Sequence, residues 1–270
     1  MITHEKFIKE NNLKESDYYQ ENGWLYILNL RNAIITTIEE LPSKIKFTEK
    51  CNVDIILSEN IKKIPPDVIF NNNGDVRIPY VEEFSENVIF NNKKDLCLGE
   101  LKQINSNVEF IINEGNVLFY DFVNKIPKKI IFNNKGDVDT NFVKEISENV
   151  IFNNDGNLLL GVEKIDSTVK IINKGDVSFI CYYAINKIPK GMIFNNKGDV
   201  IITDNIKYIS ENVIFNNGGD VIFENRKVIF SNGVKFNNKG VIKGISINIK
   251  IPPFLDKEKY LNKMLKQIYR

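Results

Sequence analysis

From residue 41 to about residue 250, apolar and polar positions alternate in a pattern that returns every 19 to 23 residues. Aliphatic or aromatic anchors stand at Leu41, Ile64, Phe84, Ile104, Ile126, Ile146, Ile165, Ile188, Ile209 and Phe230. Four residues past each anchor comes a second apolar residue (Ile45, Val68, Val88 and their equivalents), and two further on comes Phe47, Phe70, Phe90, Phe132, Phe152, Phe194 or its equivalent. Apolar residues spaced by two predict a strand with one buried face. The motif Asn-Asn-x-Gly-Asp follows, as in Asn133-Asn134-Lys135-Gly136-Asp137. It predicts a tight turn in which Gly supplies a positive φ and Asn or Asp bonds nearby backbone. A second alternating strand comes next, for example Val76 with Ile78 or Val221 with Phe223, and a variable loop leads back to the anchor.

Each unit therefore reads strand, turn, strand, loop. A unit this short cannot bury its apolar face alone, so neighbouring units must stack. The fold class is mainly β: a single-domain β-solenoid of about ten coils, spaced about 4.8 Å apart in a rod on the order of 50 Å long. The second Asn of each turn (Asn72, Asn92, Asn113, Asn134, Asn154, Asn173, Asn196, Asn217, Asn238) has the inward parity of the Phe. A buried amide ladder is expected there.

The repeat Ile-Pro-x-x-Val-Ile-Phe-Asn-Asn-x-Gly-Asp-Val-x-Ile resembles the degenerate leucine-rich-repeat-like solenoid repeats of bacteria and phages, across about three quarters of the chain. The resemblance implies a scaffold whose exposed columns vary with the partner; it does not by itself specify an activity. Cys51 and Lys94 stand at the Gly position, an extra residue falls around Ile111 and Ile112, and no Asp follows Gly240. Local distortion is expected in those coils.

The two ends differ from the middle. Residues 1–40 read as an N-terminal cap: helices over residues 3–20 with Thr3 as N-cap and Phe7, Ile8 and Leu13 as the apolar side, then a strand from Trp24 to Leu30. Residues 41–250 are the solenoid. Residues 251–270 read as a helical C-terminal cap, with Asp256 as N-cap and Leu261, Met264, Leu265 and Ile268 at helical spacing. Caps at both ends keep open sheet edges from pairing with other chains.

Charge narrows the range of partners. Lys and Arg number 36 against 35 Asp and Glu, so no net field favours nucleic acid or an anionic membrane. No stretch approaches a membrane span, the polar N-terminus does not read as a secretory signal, and three scattered cysteines fit a reducing, cytoplasmic setting. No phosphate loop, dinucleotide fingerprint or zinc-ligand spacing occurs, and the single histidine, His4, lies in a polar segment. The expectation is no catalytic residues, no cofactor and no metal. The Asp column (Asp75, Asp95, Asp137, Asp176, Asp199, Asp220) is the one acidic feature that suggests calcium. Lysines two residues before several of these Asp favour a role in turn bonding instead.

The outward columns remain. On the first strand, Ile131 and Ile151 belong to an unexpected outward isoleucine stripe. On the second, the outward column reads Arg77, Cys97, Leu118, Asp139, Leu159, Ser178, Ile201, Ile222 and Ile242, polar early and apolar late. Contiguous exposed apolar stripes on a rod mark interaction sites. The leading expectation is a non-enzymatic protein-binding solenoid, in one version an inhibitor of a host or phage defence factor. The alternative is a structural protein that forms a homodimer through the apolar stripe.

Overall fold

The computed structural model describes residues 2–30, 34–35, 40–99, 101–104, 109–112, 115–120, 123–180 and 185–245. It is a parallel β-solenoid of about nine turns with a repeat of about 21 residues.

The N-terminal cap holds one short helix, α1 (His4–Glu10), and a hairpin of β1 (Tyr18–Glu21) and β2 (Trp24–Ile27). Thr3 caps α1 as expected, its hydroxyl accepting from the Lys6 N–H at 3.2 Å. Phe7 is fully buried, edge-on to Phe47 with ring centroids 6.5 Å apart. The helical reading of residues 3–20 was too long, because Tyr18–Glu21 pairs antiparallel with β2 through Asn22 and Gly23, both at positive φ. β2 then pairs in parallel with Ile45–Phe47, so the cap supplies the first rung of the solenoid sheet. The expected C-terminal helix lies outside the described residues.

Each coil has three sides. The first side is a 12-stranded sheet and the second an 11-stranded sheet. The segment read from sequence as a variable loop contains a third, two-residue strand at every anchor from Ile64 to Phe230. These third-side strands form three separate three-stranded sheets, each grouping three consecutive coils. The grouping follows the local sequence. The first coil of each triplet carries Ile-Pro (Ile64-Pro65, Ile126-Pro127, Ile188-Pro189) and the second carries Ser-Glu-Asn (Ser85, Ser147 and Ser210 leading). The two interlock: Ser147 N–H and Oγ both donate to the Ile126 carbonyl, at 3.1 and 2.6 Å, and Lys129 N–H donates to the Glu148 carbonyl. The longest anchor spacings in the chain precede the first coil of each triplet, and there the third-side pairing is broken.

The core is a ladder along the axis. Phe70 and Phe90, Phe132 and Phe152, and Phe194 and Phe215 stack with centroids 5.1, 5.0 and 4.9 Å apart and rings within 7° of parallel. That spacing is close to the distance between paired strands, so identical residues at one register position stack without adjustment. Ile171 interrupts the column, in register with Phe152 and Phe194.

The turn between the first and second sides obeys different physics from that read in the sequence. None of its glycines has a positive φ. A Cβ at Gly136 would lie 2.1 Å from the Gly115 carbonyl oxygen, so glycine is required because adjacent coils touch there. Cys51 is not at this position. Its carbonyl accepts from Asn73 N–H as the Asn72 carbonyl accepts from Lys93 N–H, which puts Cys51 in the inward Asn column and Val53 at the Gly position. The left-handed corner is elsewhere, at the residue just before the first-side strand: Lys44, Asp67, Asn87, Lys129, Asn149, Gly191, Asn212 and Gly233 all have positive φ. Asn, Asp and Gly dominate that column, the residues that most readily adopt a left-handed backbone.

The asparagines divide the same way. The second Asn is buried as expected, at Asn72, Asn92, Asn134, Asn154, Asn173, Asn196 and Asn217. Most members of this column do not bond one another: Asn134 Nδ2 donates to the Gly136 carbonyl at 2.7 Å, and Asn154, Asn196 and Asn217 do the same within their own coils. The amide ladder lies in the first Asn of the pair, on the outer side. Asn91 donates to Asn71 at 3.1 Å, Asn153 to Asn133 at 2.9 Å and Asn237 to Asn216 at 2.8 Å. Asn113 lies outside the described residues.

Candidate interaction surfaces

The Asp column is a third ladder. Each side-chain Oδ1 accepts from the backbone N–H of the same position one coil later: Asp75 from Asp95 N–H (3.2 Å), Asp95 from Asn116, Asp176 from Asp199 (2.8 Å) and Asp199 from Asp220 (2.7 Å). Asn116 and Asn157 serve equally in their coils, accepting from Asp137 and Asp176. The bond crosses between coils and does not close a local turn. Among the described residues no cluster of His, Cys, Asp and Glu has the geometry to hold a metal. At the end of the column Asp220 is held below the usual carboxylate range, first by a hydrogen bond from Lys243 and then by the Val241 N–H.

On the second side, the outward positions run in unbroken register from Ile56 through Arg77, Cys97, Leu118, Asp139, Leu159, Ser178, Ile201 and Ile222 to Lys243. Ile242 does not belong to it. Val241 occupies the Asp position, its N–H bonded to Asp220 Oδ1 at 2.8 Å, so Ile242 pairs with Val221 and is buried. Lys243 takes the outward place and bridges to Asp220. No residue is deleted after Gly240; an apolar residue simply stands where Asp is usual. The other candidates on this side, Arg77, Leu118, Asp139, Leu159, Ser178, Ile201 and Ile222, are half-buried by their neighbours above and below. Arg77 is held by Asp75 at 2.9 Å. Asp139 sits in register with Leu118 and Leu159, and burial there pushes its carboxyl above the usual range even though it accepts from Asn141 N–H at 2.9 Å.

On the first side, the outward residues Lys46, Ile69, Ile89, Ile131, Ile151, Lys170, Ile193, Ile214 and Lys235 lie in one register, in which position 109, a glutamate, pairs between Ile89 and Ile131. Ile131 and Ile193 are 38% and 39% exposed, and the other described isoleucines of the column are half-buried. Charge occupies every third coil, with two isoleucines between. The three-coil period of the third side is thus repeated here.

The third side carries grooves that border the breaks in its pairing. One, of about 700 Å³, is lined by Lys102, Lys125, Lys128, Glu145, Glu148 and Lys164 among others. Its charges compensate one another: Glu145 is 2.8 Å from Lys125 and 3.4 Å from Lys164, and Glu148 is 3.8 Å from Lys128. Exposed pairs of this kind contribute little to stability. Burial raises the Cys51 thiol to about 11 and raises that of Cys97 as well, which keeps both protonated and poorly nucleophilic at neutral pH. Cys181 lies outside the described residues. His4 Nε2 lies 3.0 Å from the Ser43 carbonyl and ties α1 to the first coil.

The fold and its surfaces define a parallel β-solenoid built from ladders of identical side chains. No family model, curated protein or solved structure matches the chain. No helix among the described residues is long and apolar enough to cross a membrane.

Proposed function

We propose that the chain is a non-enzymatic, protein-binding solenoid that docks a partner protein on its second side. The observation that carries this reading is the outward register of that side: Ile201 and Ile222 form an apolar pair flanked by Ser178 and Lys243, and the column runs back through Leu159, Asp139 and Leu118 to Cys97, Arg77 and Ile56. A flat apolar patch with a polar approach suits a protein interface with a desolvated centre and a wet rim. A second copy laid antiparallel on this side would set Ile201 and Ile222 near Arg77 and Cys97, so the column favours a different protein over itself. The likeness of the repeat to leucine-rich-repeat-like solenoids of bacteria and phages extends the proposal to a cytoplasmic inhibitor of a host or phage defence factor.

The test is the double substitution Ile201→Lys with Ile222→Lys. Both positions point outward by register, so circular dichroism should be unchanged. Unpaired charge in an apolar interface centre is poorly tolerated, and affinity for proteins captured by the wild type should fall by a factor of about ten or more. A folded double variant that retains its partners with unchanged affinity rejects the second side as the docking surface.

A further inference from the structure

The first side has a property that the second lacks: its outward column is complementary to itself when reversed. We propose that two copies of this chain pair face to face through their first sides, with antiparallel solenoid axes, about a two-fold axis passing between Ile131 and Ile151. Such an axis runs along the strand direction. It preserves which column faces which and reverses the order of coils, so an isologous contact forms.

The register then matches coil by coil. Ile131 meets Ile151 of the second copy, Ile89 meets Ile193, and Ile69 meets Ile214. Position 109, a glutamate, falls opposite position 170, a lysine, on both sides of the axis. The like-charged Lys46 and Lys235 are opposed only at the far ends of the contact, where water screens them. The adjacent outer column obeys the same symmetry. Its amide ladder is replaced by isoleucine at positions 111 and 172, which the axis sets opposite each other, while Asn133 meets Asn153. Ile172 is 44% exposed in the single chain, an aliphatic residue for which the symmetric contact supplies a partner.

The three-coil period selects this register. Sliding one copy by a single coil sets the glutamate and the lysines against isoleucine and buries them unpaired, which is strongly unfavourable. Two coil spacings out of three are excluded in this way, and the full-length overlap has its axis between Ile131 and Ile151. Ten coil positions at about 4.8 Å, across strands of two to four residues, give a total buried area of at most about 1,300 Å², at the lower end of the range of stable specific interfaces.

Charge exchange provides the test, with the full chain in light scattering and sedimentation. The wild type should be a dimer of 31.2 kDa chains at tens of micromolar. Glu109→Lys sets lysine against lysine twice, and Lys170→Glu sets glutamate against glutamate twice, so each variant alone should dimerise about tenfold or more weakly. Mixed in equal amounts, the two should recover a heterodimer, since each contact again joins opposite charges. The column already accepts Lys at 46, 170 and 235, and circular dichroism checks the fold of each variant. Should either fail to fold, Ile131→Glu and Ile151→Lys take their place: each alone weakens the dimer, and the mixture restores one Glu to Lys contact at the axis. A monomeric wild type, a dimer indifferent to both charge variants, or a mixture no stronger than its components overturns the proposal. The Ile201→Lys with Ile222→Lys variant should dimerise as the wild type does, which separates this proposal from the docking role of the second side.

Discussion

Two corners of the coil use the same small set of residues for different reasons. At the corner between the first and second sides, Gly136 lies against the coil below, and a Cβ there would be 2.1 Å from the Gly115 carbonyl oxygen and 2.5 Å from its carbon. At the corner between the third and first sides, Gly191 has φ +74°, and a Cβ would meet nothing within 4 Å. One corner is crowded between coils and relaxed in its backbone; the other is open and left-handed. Asparagine divides likewise: Asn134 is buried and bonds the Gly136 carbonyl, whereas Asn149 is exposed and accepts φ 59°. A residue type in a repeat therefore does not report its own role; the neighbouring coil does.

The contrast can be broken by substitution. Gly136→Ala should have the largest effect, about 3 kcal/mol in urea unfolding, because the methyl meets backbone that cannot move without opening the stack. Gly191→Ala should cost about 1 to 2 kcal/mol, the price of a left-handed conformation in a site with room for the side chain. Equal losses at the two positions would erase the distinction. Asp137→Asn should change stability by less than about 0.5 kcal/mol, because Asn116 and Asn157 already make the same bond to the next coil. A loss several times larger would show that the charge, and not the acceptor oxygen, holds this ladder.

Much of the fold was legible because a stacked repeat writes its period directly into the chain. The Phe column, the two main strands and the Thr3 cap were each read from local spacing and are found where spacing puts them. The third side was not read, since a two-residue strand has too little alternation to stand out from a loop. Ile242 is buried and not outward because Val241 fills the place that Asp usually takes after Gly240 and offers its N–H to Asp220. The charge in every third coil was present in the sequence, yet its meaning depends on which residues are in register.

The sequence by itself determined the coil: its length, its inward apolar residues and the positions of its turns, all of which follow from periods of two and about 21 residues along one chain. Tertiary structure alone decided the destination of each polar group. The Asp oxygens bond the next coil and the inner Asn amides mostly bond their own turn, while the outer Asn amides bond one another. The choice among these depends on distances between residues some 20 positions apart, and those distances exist only once the coils have stacked.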